Sequence, residues 1–159
     1  MTNPAPPAQD PNLPTAGYFD GREHVLPFRI YYEDTDFSGV VYHANYLRFF
    51  ERGRSDFLRL AGVHHADLAN REAPSGFAVA AMELEFKKPA RIDDALLVRT
   101  RHTGSRGPRL FFSQKVWRDG DLICAAKVTA TAIYLDGRIK RPSPEEKAVW
   151  AGFEWRDGA

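Results

Sequence analysis

An α+β domain is what the sequence predicts, and three observations carry the expectation. Asn45 to Gly62 repeats its apolar residues at helical spacing. One segment before it and four after it are rich in β-branched and aromatic residues and read as strands. The four later segments follow one another at hairpin spacing, so the simplest assembly is an antiparallel sheet of five strands around one long helix.

The elements follow in chain order. The first 22 residues, rich in proline, lack a charged stretch followed by an apolar core and read as a mobile extension rather than a secretory signal. Val25 to Glu33 is the first strand, with Pro27 suited to an edge or a strand start. In the helix, Tyr46, Phe49, Phe50, Gly53, Phe57, Leu60 and Ala61 share one face. Arg48, Arg52, Ser55 and Arg59 fall on the other, and Leu47, Glu51, Arg54 and Leu58 form a flank. Asn45 is the expected N-cap and Gly62 the stop. Phe77 to Lys88 alternates, with Ala78, Ala80, Met82, Leu84 and Phe86 on one side. Ala95 to Thr103 and Arg109 to Arg118 form a hairpin, and Asp119-Gly120 is a tight-turn signal into Leu122 to Leu135. Cys124, Ala126, Val128, Ala130, Ala132 and Tyr134 make a face of small residues there, with room for the helix. A domain over residues 23–140 and a tail over 141–159, a turn plus a short helix, complete the division.

Composition narrows the function. The chain has 159 residues, 43% apolar and 27% charged, with net charge +1. That size holds one core, and the balance of charge lacks the basic excess of a nucleic-acid binder. A single cysteine, Cys124, excludes an internal disulfide. No apolar run is long enough to span a bilayer. The histidines His24, His43, His64, His65 and His102 are not at ligand spacing for zinc, no Gly-x-Ser-x-Gly elbow is present, and no glycine-rich phosphate loop of the usual form appears.

The densest chemistry lies in Tyr31-Tyr32-Glu33-Asp34-Thr35-Asp36-Phe37-Ser38-Gly39-Val40-Val41-Tyr42-His43-Ala44-Asn45-Tyr46. Three carboxylates meet where an extended segment gives way to a helix, a crowding that mutual repulsion disfavours. The helix start adds unpaired backbone N–H groups with the positive end of the dipole. Asp36 reads either as the cap of the turn Phe37-Ser38-Gly39 or as a reactive carboxylate. His43 alone reads most plainly as a packing residue. Lys87, Lys88, Arg91, Arg106 and Arg109 read either as a solvated face or as receivers of substrate phosphates.

The motif Tyr-Tyr-Glu-Asp-Thr-Asp-x-x-Gly-Val-Val-Tyr-His-Ala-Asn-Tyr, followed by Glu51-Arg52-x-Arg54, closely resembles the signature of the Tol-Pal-associated acyl-CoA thioesterases. These are a branch of the 4-hydroxybenzoyl-CoA thioesterase family. The likeness continues through Met82 to Asp94 and on to Arg141-Pro142, covering residues 24 to 145. It implies the hotdog fold, a five-stranded antiparallel sheet around the helix from Asn45. It also implies dimers or tetramers with active sites at the dimer interface, and hydrolysis of acyl-CoA without a bound cofactor. The family's catalytic aspartate falls on Asp36, as nucleophile or general base. The backbone N–H that polarises the carbonyl falls on His43, whose ring would position water or Asp36.

On the same resemblance Gly39, Tyr42 and Asn45 shape the substrate site and Tyr46 belongs to the core; of the basic residues, Arg91, Arg106 and Arg109 are the candidates to bind CoA. Glu51, whose position matches a carboxylate used by another branch, reads as the ion-pair partner of Arg54 or Arg48. The implied setting is the cytoplasm, at the inner face of the membrane, with acyl carrier protein as a further partner. Two other readings stand beside hydrolysis: a module that binds acyl-CoA or acyl carrier protein in a membrane-associated assembly, and hydration of a thioester. The spacing of Asp36 and His43 does not match the Asp-x-x-x-x-His of the hydratases.

Overall fold

The computed structural model describes residues 12–14 and 17–158. Six strands form one antiparallel sheet: β1 Tyr18–Asp20, β2 Glu23–Arg29, β3 Ser75–Phe86, β4 Ala95–Arg106, β5 Arg109–Arg118 and β6 Asp121–Tyr134. Their order is β1-β2-β4-β5-β6-β3, which leaves β1 and β3 at the edges. Three helices accompany them: α1 Asn45–Leu60, α2 His65–Ala69 and α3 Pro144–Phe153. The fold is α+β as expected, but the sheet has one strand more than predicted. The addition is β1, which lies inside the segment read from sequence as a mobile extension. Most of that segment, residues 1–11, 15 and 16, is outside the described residues.

The core forms where the alternating faces of the sheet meet the apolar stripe of α1. Leu96 and Val98 of β4, Leu110, Phe112 and Val116 of β5, and Cys124, Ala126, Val128 and Ala130 of β6 are all buried. The small residues of β6 leave volume that Phe50 and Phe57 share, both with no exposed surface. Burying a side chain of that size contributes roughly 1.5–3 kcal/mol. Positive φ at both Asp119 and Gly120 closes the β5–β6 hairpin where the sequence signalled it.

A polar staple crosses this core. The Gln114 amide Nε2 donates to the Phe50 carbonyl and to Thr100 Oγ1, each at 2.9 Å, and its Oε1 accepts from Arg54 at 2.9 Å. Gln114 reaches the helix backbone because position 53 is glycine. A Cβ there would lie 2.8 Å from Val98 Cγ1 and 3.1 Å from Gln114 Nε2. The fully satisfied network fixes the rotation of α1 over the sheet.

Three local readings are corrected. Leu60 is 40% exposed, while Arg54 and Asp56, both charged, are buried in its stead. Asp56 has its own partners, accepting from His24 Nε2 at 2.8 Å, from the Gly17 N–H at 2.7 Å and from Arg59. In β3 a bulge between Val79 and Ala81 shifts the alternation, so Phe77 faces the core before it and Met82 and Leu84 after it. One unbroken period-2 pattern does not describe that strand. Asn45 is not the N-cap of α1: the cap is Ala44, which offers no side-chain acceptor.

The chain ends are fastened to each other. Phe19 of β1 packs against Phe57 and Phe153 with ring centroids 5.1 and 5.2 Å apart. Arg22 donates to the Glu154 carbonyl at 2.8 Å, and the Trp155 N–H donates to the His102 carbonyl at 2.7 Å. Ser143 and Glu146 form a capping box at the start of α3, whose Trp150 is buried.

Candidate active site

The junction between β2 and α1 is a tightly bonded loop. A 3₁₀ turn over Tyr32–Asp34 opens it, and the Asp34 carboxylate caps that turn by accepting from the Tyr31 N–H at 2.8 Å. The Asp34 carbonyl accepts from the Tyr42 N–H and from the Asn45 side-chain amide, both at 2.9 Å. Asp34 and Asn45 therefore hold the two ends of the loop together. This places Asn45's amide on the loop rather than free for a substrate, and gives Asp34 a supporting role.

Asp36 sits at the tip. Its backbone N–H donates to the Val40 carbonyl at 2.9 Å, and its carbonyl accepts from the Gly39 N–H at 3.0 Å. Gly39 closes the turn with φ of +81°, a conformation most side chains resist. The Asp36 carboxylate accepts from the Ser38 hydroxyl at 2.5 Å and from the Ser38 N–H at 2.8 Å. These bonds, the hydroxyl foremost, hold its pKa below the usual carboxylate range, with the His43 ring adding a smaller effect. Asp36 thus caps the turn with Oδ1, as one of its two readings had it, and leaves its carboxylate exposed. Ser38 was missed as its partner, although Asp-x-Ser-Gly is the pattern of a side chain bonding its own backbone two residues on.

The loop is stitched to the turn before β4. The Val41 N–H donates to the Ala90 carbonyl at 2.8 Å, and Val40 bridges to Arg91. The Asp94 carboxylate fixes that turn, accepting from the Arg91 N–H at 2.9 Å and from Arg118 at 2.8 Å. The Arg91 guanidinium lies 3.9 Å from where a Cβ on Gly39 would stand. Arg91 is therefore at the junction. Arg106 and Arg109 are not: they pair across the β4–β5 turn, at the other end of β4. At about 3.3 Å per residue, β4 puts them roughly 35 Å from Arg91.

The helix start faces the same loop. Ala44 supplies no side-chain acceptor, and the first turn of α1 carries no acidic residue. Among the described residues, none accepts a hydrogen bond from the His43 backbone N–H. Leaving a helix start without a side-chain cap forgoes about 1 kcal/mol. The Asn45, Tyr46 and Leu47 N–H groups donate to the Tyr42, His43 and Ala44 carbonyls, so it is the His43 N–H, with the helix dipole, that favours an oxygen bearing negative charge. The His43 ring is exposed and packs 4.5 Å from the Tyr42 ring and 6.4 Å from Phe86. Tyr46 is core, its phenol pushed up to about 12 by burial. Glu51 pairs with Arg54 and accepts from Ser55 at 3.3 Å.

Aromatic rings stand bare around this loop. Phe37 is wholly exposed, Tyr32 83% and Tyr31 63% exposed, and Tyr42 45%. Residues 31–151 match the model of the thioesterase-like superfamily. The acyl-CoA thioester hydrolase YbgC of Escherichia coli O157:H7 is 39% identical over 133 residues, spanning 80% of this chain and 93% of that protein. The acyl-CoA thioesterase YbgC of Haemophilus influenzae is 37% identical over 128 residues, spanning 80% and 92%. A probable thioesterase from Bartonella henselae superposes with a TM-score of 0.74 at 41% identity, covering 76% of this chain and 99% of that one.

Proposed function

The chain belongs to the thioesterase-like superfamily, and from that premise we propose that it hydrolyses acyl-CoA thioesters with Asp36 and the start of α1 as its reaction centre. The observation that carries the assignment of the centre is the meeting of an ionised Asp36 carboxylate with an uncapped helix start in one exposed loop. The thioester carbonyl oxygen takes the His43 backbone N–H, which stabilises the charge that develops as the carbon becomes tetrahedral. Asp36 then acts in one of two ways. Its carboxylate attacks the carbonyl carbon, the C–S bond breaks, CoA leaves as thiolate, and water hydrolyses the resulting anhydride. Alternatively Asp36 takes a proton from water, whose oxygen attacks while CoA departs with a proton. Both routes need the carboxylate as an anion, the form that the Ser38 hydroxyl favours.

We assign Arg91, which stands beside Gly39, to a CoA phosphate. Arg106 and Arg109 join such a site only from a second copy. The bare rings of Tyr31, Tyr32, Phe37 and Tyr42 support that arrangement, since an apolar patch of this kind is normally covered. We therefore read the working unit as a dimer or a pair of dimers, with the junction at the interface. Among the described residues no helix is long and apolar enough to cross a membrane. A cytoplasmic setting, association with the Tol-Pal assembly and use of acyl carrier protein rest on the sequence resemblance alone, and co-purification with that assembly is their test.

Asp36→Asn tests the centre. Thiol release from a panel of acyl-CoAs should fall at least about a hundredfold, the scale on which such groups act, with CoA binding retained. Wild-type turnover in that variant would remove Asp36 from the chemistry. Tight acyl-CoA binding with negligible turnover in the wild type would favour the binding module instead.

A further inference from the structure

A second pocket, open at its rim, lies at the other end of α1. It is a cavity of about 130 Å³ bounded by the loop after α1, α2, the start of β3, the β4–β5 turn and α3. Its floor is apolar, formed by Leu68, Leu110 and Trp150, each under 8% exposed, with Phe77 beside them. One polar side chain faces this space from a buried position. Ser75 is 4% exposed and lines the cavity.

The rim carries three cations, Arg71, Lys140 and Lys147, against two carboxylates, Asp67 and Glu146. Glu146 bonds Lys140 at 2.8 and 2.9 Å and stands 4.0 Å from Arg71. Lys147 has no carboxylate partner among the described residues. The rim therefore favours an anion, and the floor favours a compact apolar body. Size sets the scale of that body, since a dry cavity of about 150 Å³ accepts benzene.

We propose that this cavity binds a small amphipathic carboxylate, with the ring or short chain on Trp150 and the carboxylate between Ser75 and Arg71. The chemistry of the ligand is read from the cavity. Its source rests on the proposed function, because hydrolysis of a short or aromatic acyl-CoA releases an acid of this class. The cavity is distinct from the reaction centre: the 16 residues of α1 separate the two, about 24 Å of helix. A short acyl group held at His43 does not reach it, and a thioester has no carboxylate to offer the rim.

The test is titration of the full chain with benzoate and with hexanoate, by calorimetry and by amide and indole NMR. Saturable binding that shifts the Trp150 indole and the Ser75 amide is expected. Arg71→Gln, at an exposed position, should weaken binding about tenfold, as loss of one charged hydrogen bond does, and Ser75→Ala should weaken it less. Asp36→Asn should leave binding unchanged. Three results would overturn the site: no saturation, equal affinity for benzyl alcohol, or binding lost in Asp36→Asn but kept in Arg71→Gln. Acyl-CoA hydrolysis is followed separately by thiol release. Its absence from the wild type would overturn the proposed function, while Trp150-centred binding would still establish the cavity.

Discussion

Replacing Gly53 by alanine sets two effects of opposite sign against each other. In an isolated helix the change stabilises by about 1 kcal/mol, because glycine loses more backbone freedom on folding. Here the new methyl would stand 2.8 Å from Val98 Cγ1, 3.0 Å from Thr100 Oγ1 and 3.1 Å from Gln114 Nε2. All three neighbours are completely buried. Val98 is stiff about χ1, so the strain falls on the helix position or on Gln114. Overpacking of this kind costs roughly 1–3 kcal/mol, and loosening the two bonds from Gln114 Nε2 adds about 1 kcal/mol each. After the propensity gain, a net loss of about 2–4 kcal/mol remains. For a chain of this length each kcal/mol lowers Tm by roughly 2–4 °C. Urea unfolding followed by tryptophan fluorescence, at one fixed protein concentration, measures it. A variant as stable as wild type, or more so, would refute the idea that Gly53 exists for the close approach of Gln114.

Other perturbations probe the centre and its support. Ser38→Ala removes the bond that most lowers the Asp36 pKa, so the acid limb of kcat/KM should move to higher pH while the neutral plateau holds; an unmoved limb would separate Ser38 from Asp36. Arg91→Glu should raise KM for acyl-CoA about tenfold with kcat little changed, in keeping with loss of a phosphate contact; an unchanged KM removes Arg91 from the site. Stability should also fall as pH drops below about 6.5. Burial lowers the pKa values of His24 and His102 in the folded chain, so the unfolded chain binds more protons there. The slope is at most about 1.4 kcal/mol per pH unit for each histidine, and denaturation midpoints that stay flat from pH 7.5 to 5 would contradict it.

What the sequence made legible was whatever depends on near neighbours. The stripe Tyr46, Phe49, Phe50, Gly53 and Phe57 forms because its period is local, and Asp119-Gly120 turns because two φ values demand it. Asp36, Gly39 and His43 could be grouped from the sequence because one loop brings them together along the chain. What escaped depends on partners distant in sequence. Asp56 is buried because His24 and Gly17 come to it, and Arg54 because Gln114 does. A three-residue strand such as β1 has no period to detect, and the β3 bulge hides as a lapse in alternation. Arg91 and Arg106 look alike in the sequence, yet the length of β4 separates them.

The mutual fastening of β1 and the end of α3 has a consequence for how the molecule opens. Neither piece is held by its own strand or helix bonds alone. Phe19 needs Phe153, and Arg22 needs the Glu154 carbonyl. The two should therefore lose amide protection together, as one cooperative unit with a single opening free energy. Cutting the chain after Phe153 would then speed exchange at Phe19 and Asp20, more than 130 residues away in sequence, while α1 and the middle of β5 keep their protection.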